Sequence, residues 1–279
     1  MVKRSRPTFR QRQLGRELRR LREQAGLSQE KAATLLRYTD STISRIENGQ
    51  LPPYHGLRAM LDLYGVTVDQ WDWYLDLYDR AREKGWWHAY GLLDAGYVGM
   101  EDEACRVREF QLGLVPGLLQ TDDYIRAVFA VSPTQWSTDA VEVGVAIRRK
   151  RQERLTADPP LEFHAILDET VLHRRLPDVE ATRAQLRHIA RAAGLPNVTV
   201  QVLPSDVGLH YGLVSSFTIV SFPDRQDRDV VYLEHVAGAL HVEKESEVAK
   251  CRLDFDRLAA LALSPEESVA LIERVADQR

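Results

Sequence analysis

Asp40, Ser41, Ser44 and Arg45 share the outer face of one short helical pattern, and all four side chains can hydrogen-bond to the edge of a DNA base. Ser28, Gln29, Thr42 and Asn48 surround that face with polar groups suited to the phosphate backbone, and Thr39 opens the helix. Two other clusters have types that suggest catalysis or metal binding. Glu169 and His173 stand four apart, with Asp168 beside them and His164 on a preceding strand candidate. That spacing suits a metal, but a surface ion pair is its commoner cause. Asp206, His210 and Ser215 have the types of a hydrolase trio, yet they are close only in sequence and no G-x-S-x-G elbow accompanies them. No glycine-rich loop follows a strand in a way that would cradle a phosphate. The expectation is recognition without turnover: no catalytic residue, no cofactor and no metal, with an enzyme tethered to DNA as the alternative.

The recognition residues are positioned by the stretch Leu27 to Gly49, two short helical patterns either side of a tight turn. Ser28 and Thr39 precede the two apolar rhythms, where a hydroxyl accepts from the free N–H groups of a first turn. Ala32, Ala33 and Leu36 give the first helix its buried stripe; Ile43 and Ile46 do so for the second. The small Ala33 lets the second helix cross closely. Leu14, Leu18 and Leu21 mark a helix before the pair, ended by Gly26, and Leu57, Met60, Leu61 and Tyr64 mark one after the stiff Leu51-Pro52-Pro53 loop. On periodicity alone the pair is also an αα-hairpin with a solvated outer face.

Charge distinguishes the two readings. The net charge of −4 divides into +7 for residues 1–50, with twelve Lys/Arg against five acids, and −11 for the remainder. A basic end on an acidic body turns one face toward a polyanion. A basic arm alone is usually read as a solubilising tail; beside a helix pair of this kind it favours nucleic acid. No apolar run approaches the length of a membrane helix, the N-terminus lacks the apolar core of a secretory signal, and Cys105 and Cys251 form no C-x-x-C pair. A cytoplasmic protein is expected.

Residues 12–65 resemble the helix-turn-helix of Cro/phage-repressor-type (XRE-like) regulators. The resemblance rests on Ser28-Gln29, Ala33 and Ser44-Arg45-Ile46-Glu47-Asn48-Gly49. It implies double-stranded DNA as partner and a pair between Arg22 and Glu47 that clamps the first helix to the recognition helix; because one short reading helix covers few bases, a homodimer is expected. Two residues depart from the pattern. Arg37 occupies the turn position usually held by glycine, and Asp40 begins the reading face where an acid repels phosphate but can accept from a cytosine amino group.

Three segments follow: a helix-turn-helix domain at 1–68, an aromatic connector helix at 69–85, and an α/β domain at 86–279. In the last, helices are expected near 100–111, 121–130, 138–155, 169–176, 179–193, 245–262 and 265–277. Strands are expected at 161–167, 198–203, 217–222 and 230–236, making a sheet of about four. The long crossover between the first two strands allows them to run parallel; the polar PDRQDRD turn makes the last two a hairpin. The fold class is α+β, an all-α domain followed by a mixed α/β one. Residues 86–275 also resemble a C-terminal domain of unknown function in actinobacterial regulators, through Val115-Pro116-Gly117-Leu118-Leu119-Gln120-Thr121, the arginine-rich 148–154, Leu167-Asp168-Glu169, Gln201-Val202-Leu203-Pro204 and Val231-Tyr232-Leu233-Glu234. That resemblance implies an antitoxin-like or developmental regulator with a small protein partner. From the residues themselves, Pro116–Tyr124 and the Asp206–Ser216 loop are apolar and polar by turns, as pocket rims and packing loops both are, and a partner or effector surface is expected at Trp86-Trp87 with Pro116–Tyr124.

Overall fold

A computed structural model describes residues 7–92, 96–223 and 228–279. They form two compact units with the boundary between Met100 and Glu101.

The first unit is helical: α1 (Phe9–Gln24), α2 (Gln29–Leu36), α3 (Asp40–Glu47), α4 (Tyr54–Leu63) and α5 (Trp71–Arg82). Thr8 starts α1 with a capping box, its hydroxyl accepting from Gln11 N–H while the Gln11 side chain accepts from Thr8 N–H. Ser28 and Thr39 cap α2 and α3 with one bond each, their hydroxyls accepting from the N–H of Lys31 and of Thr42. Leu14, Leu18, Ala32, Ala33, Ile43, Ile46, Leu57, Met60 and Leu61 make one core, in which each large side chain contributes about 1.5–3 kcal/mol of transfer free energy. The helix at 69–85, set apart in sequence as a connector, sends Tyr74, Leu77 and Tyr78 into this same core.

Gly15 brings α1 against the end of α3. A Cβ there would stand 2.7 Å from the carbonyl oxygens of both Ile46 and Glu47, which are backbone atoms that cannot turn aside. Gly15→Ala is therefore expected to cost about 1–3 kcal/mol by overpacking, read as a lower denaturation midpoint of the first unit. An unchanged midpoint would show that α3 shifts freely.

Beyond α6 (Gly96–Glu103), the second unit runs β1 (Arg106–Gln111), α7 (Asp122–Ala130), α8 (Thr138–Gln152), β2 (Glu162–Asp168), α9 (Thr170–His173), α10 (Val179–Ala192), β3 (Val198–Leu203), β4 (Phe217–Ser221), β5 (Val230–His235), β6 (Gly238–Val242), α11 (Glu245–Leu261) and α12 (Pro265–Asp277). The sheet has six strands in the order β3-β2-β1-β4-β5-β6. β1, β2 and β3 are parallel, and β4, β5 and β6 are antiparallel to their neighbours. The α+β class stands, the expected parallel pair is β2 with β3, and the expected hairpin is β4 with β5. Phe255, Leu258 and Val248 of α11 pack on Phe110, Ile166, Phe217, Ile219 and Val231 of one sheet face. The outer edge of β3 is closed: Val202 N–H donates to Ser268 Oγ of α12, and Val202 C=O accepts from Leu263 N–H.

The sheet is larger than the four strands expected. The segment read as a helix near 100–111 is divided between α6 and β1. β1 hides its alternation because charged residues stand on both faces: Arg108 lies 5.6 Å over the Phe255 ring, and Glu109 is buried on the opposite face. β6 escapes because it is short and mostly exposed, and gains its order from pairing with β5 across the turn at 236–237.

Candidate nucleic-acid interface

The reading helix is anchored from inside. Ile43 and Ile46 are fully buried, and Glu47, although ionisable, is only 7% exposed. Its carboxylate accepts three hydrogen bonds: from Arg22 Nε at 2.5 Å, from Arg22 Nη2 at 3.1 Å and from Gln29 Nε2 at 2.7 Å. Arg22 also donates to Leu27 C=O at 2.6 Å, so one guanidinium ties α1, the α1–α2 turn and the end of α3 together. The bond to Glu47 raises the Arg22 pKa, and burial plus the Glu47 charge push the Tyr64 phenol up to about 12.

The other faces of α2 and α3 are polar and open. Asp40, Ser41, Arg45 and Asn48 are exposed; Thr42 and Ser44 are half-buried. Thr39 Oγ1 lies 3.0 Å from Ser41 Oγ and 2.8 Å from Thr42 Oγ1. Arg45 lies back along its own helix, donating from Nε to Ser41 C=O at 3.0 Å and from Nη2 to Thr42 Oγ1 at 3.3 Å. Asn48 Nδ2 donates to Ser44 C=O at 2.7 Å. Ser28 is exposed at the start of α2, whereas the Gln29 amide is turned inward to Glu47. These partners are weak local bonds at a solvent-facing surface, so the side chains can exchange them for a ligand.

Cations on α1 are partly used internally. Arg19 pairs with Glu23 and Arg20 with Glu17, while Arg16 lies over the Phe9 ring. Lys31 and Arg37, which sequence reasoning did not place at the interface, are exposed and make no hydrogen bond or ion pair with their side chains among the described residues. Arg37 holds the α2–α3 turn with φ +56°, and its N–H and that of Tyr38 close onto the carbonyls of Ala33 and Thr34.

In the second unit the residues singled out by type are occupied with structure. Glu169 lies 3.5 Å from His173 and accepts from Ser205 N–H at 2.8 Å; His164 bonds Gln201 at 2.8 Å. His210 faces Asp168 at 3.9 Å instead of Asp206, and Ser215 Oγ donates to Ser216 C=O. The cations at 148–151 are taken up by Phe129, Asp122, Glu153 and Glu101 in turn. Trp87, Leu118, Leu119 and Tyr124 are buried, so the surface expected around Trp86-Trp87 and Pro116–Tyr124 is largely internal.

One buried acid stands out. Glu109 is 7% exposed, accepts from Gln111 Nε2 at 2.5 Å, and begins a polar row across the sheet through Thr218, Tyr232 and His241. Burial pushes its carboxyl up to about 7; Glu101 and Glu234 push the same way, while the Gln111 bond and Arg151 oppose them. Arg151 is itself held by two bonds to Glu101, at 2.6 and 2.8 Å.

A helical core holding a clamped, polar-faced third helix defines a helix-turn-helix protein, and residues 13–73 match a family model described as a helix-turn-helix domain. Residues 95–274, well over half of the chain, match the model described as Domain of unknown function (DUF5753), and the chain belongs to that family. No curated protein and no solved structure matches it. The helix-turn-helix points to a DNA-binding regulator, and no described helix is long and apolar enough to cross a membrane.

Proposed function

We propose that the chain is a sequence-specific transcriptional regulator of the Cro/repressor (XRE-like) type that reads the major groove with α3 as a homodimer. The supporting observation is the division of α3 into a clamped inner face and an outer face of exposed Asp40, Ser41 and Arg45 with half-buried Ser44. A short helix held on a helical core can enter a groove without losing its own order. In this reading Ser41, Ser44 and Arg45 meet base edges and Asp40 sits at the rim. Thr39, Thr42, Ser28 and Asn48 hold the backbone, and Gln29 acts through Glu47. The acidic C-terminal domain is the input, taking a small protein partner or an effector and altering DNA affinity without catalysis. The ligand must then bind the DNA-competent and incompetent states unequally.

Selection of bound duplexes from a random pool, followed by footprinting, tests this. Two half-sites about one helical turn apart, or a multiple of it, are expected from a dimer. Arg45→Ala should lose about 1–3 kcal/mol on the selected site and relax preference at one base position. A variant with unchanged affinity and footprint would remove Arg45 from the reading face; a monomer at saturation would remove the dimer.

A further inference from the structure

Arg148 of α8 carries a charge that nothing in the second unit balances. The residue is half-buried, its Nε is closed off from solvent without an acceptor, and its guanidinium makes no hydrogen bond or ion pair among the described residues. It rests on the Phe129 ring, 5.5 Å from the centroid, which offsets only part of what a guanidinium loses on leaving water. Burial, then the like charge of Arg151, pull its pKa down to about 10. Two acids act on it from nearby. Glu101 is already taken by Arg151 through both oxygens, and Glu234 is exposed and makes no ion pair among the described residues.

Beside this cation lies a floor suited to hydrogen bonding. Glu109, Thr218, Tyr232 and His241 stand opposite one another on four neighbouring strands and so share one face of the sheet. The charge of Arg151 reaches both Glu109 and Tyr232, and that of Glu234 reaches Glu109, Tyr232 and Arg148, so the arginines and the row occupy one neighbourhood. Glu109, pushed up to about 7, is largely protonated below neutral pH and then does not repel an anion. We propose that Arg148 and the adjoining row of Glu109, Thr218 and Tyr232 form a ligand site in which the guanidinium fork takes the carboxylate or phosphate of a small molecule and the row bonds its uncharged polar part. This rests on the reading of the second unit as the input, and it narrows the effector to an anion.

The test titrates the full chain with inorganic phosphate and with benzoate, ionic strength being held with chloride, and follows heat of binding and thermal midpoint. Saturable heat and a rising midpoint are expected with at least one of them, and the tighter of the two identifies the source as phosphate or carboxylate. Arg148→Met should lose both responses, and Arg148→Lys should bind about tenfold more weakly, because an ammonium lacks the fork. Without either anion, Arg148→Met should melt no lower than wild type, since an unbalanced charge gives way to an apolar chain. A midpoint well below that of wild type would make Arg148 a structural prop for Phe129 and overturn the site. A wild type that saturates with neither anion overturns it too, as does an Arg148→Met variant that binds like wild type. Operator affinity at saturating anion separates the two claims: Arg148-dependent binding that leaves operator affinity unchanged upholds the site and overturns the input reading.

Discussion

Replacing Glu47 with alanine is expected to destabilise the helix-turn-helix by about 3–5 kcal/mol, far more than the ~0–1 kcal/mol of an exposed ion pair. The reason is what remains behind. Arg22 is 6% exposed and would keep its charge with the Leu27 carbonyl and the more distant, solvent-facing Glu23 at 3.5 Å to receive it, while Gln29 would lose its acceptor. Arg22→Met in the Glu47→Ala background should restore much of the loss, because a buried charge is then absent instead of unpaired. Hydrogen exchange of peptides from α1 to α4 reports this unit separately from the second. A coupling between the two positions below about 1 kcal/mol would mean that water reaches the pair and that the clamp is a surface feature.

The second large effect is a pH dependence centred on Glu109. Its folded pKa, about 7, is raised above the ordinary glutamate range by burial first, then by Glu101 and Glu234. Between the two values the unfolded chain has released a proton that the fold retains. The stability contributed is therefore complete below the unfolded pKa and is lost as pH rises through about 7. The loss amounts to about 3 kcal/mol for a shift of this size. Glu109→Gln keeps the shape and the neighbouring amide partner without the charge. Urea midpoints of the second unit should fall from pH 5 to pH 8 in wild type and stay nearly level in the variant. A parallel fall in both proteins would assign the titration to another group.

These two residues also mark what sequence could and could not reveal. The rhythm of Leu14, Leu18 and Leu21, the caps Ser28 and Thr39, and the outward run Asp40 to Arg45 are local signals, and α1 to α3 follow them closely. The Arg22–Glu47 pair joins residues 25 apart and entered only through resemblance to a known family. The inward turn of Gln29 depends on where Glu47 lies in space, which no local pattern encodes. β1 was hidden because its buried positions include a glutamate and its other face an arginine, reversing the usual alternation of apolar and polar. α5 reads as a linker because it is aromatic on two sides; only the packed core shows which side is inner.

The division of α3 bears finally on divergence. Asp40, Ser41, Ser44 and Arg45 take no part in the bonds that hold Glu47, whereas Gly15 lies against the carbonyls of Ile46 and Glu47 and Arg22 binds the Glu47 carboxylate directly. Drift within a lineage built on this scaffold is thus channelled to one small set of codons. On the proposed DNA-binding reading, a library randomised at those four positions is expected to sample new specificities while keeping the buried contacts of Ile43, Ile46 and Glu47.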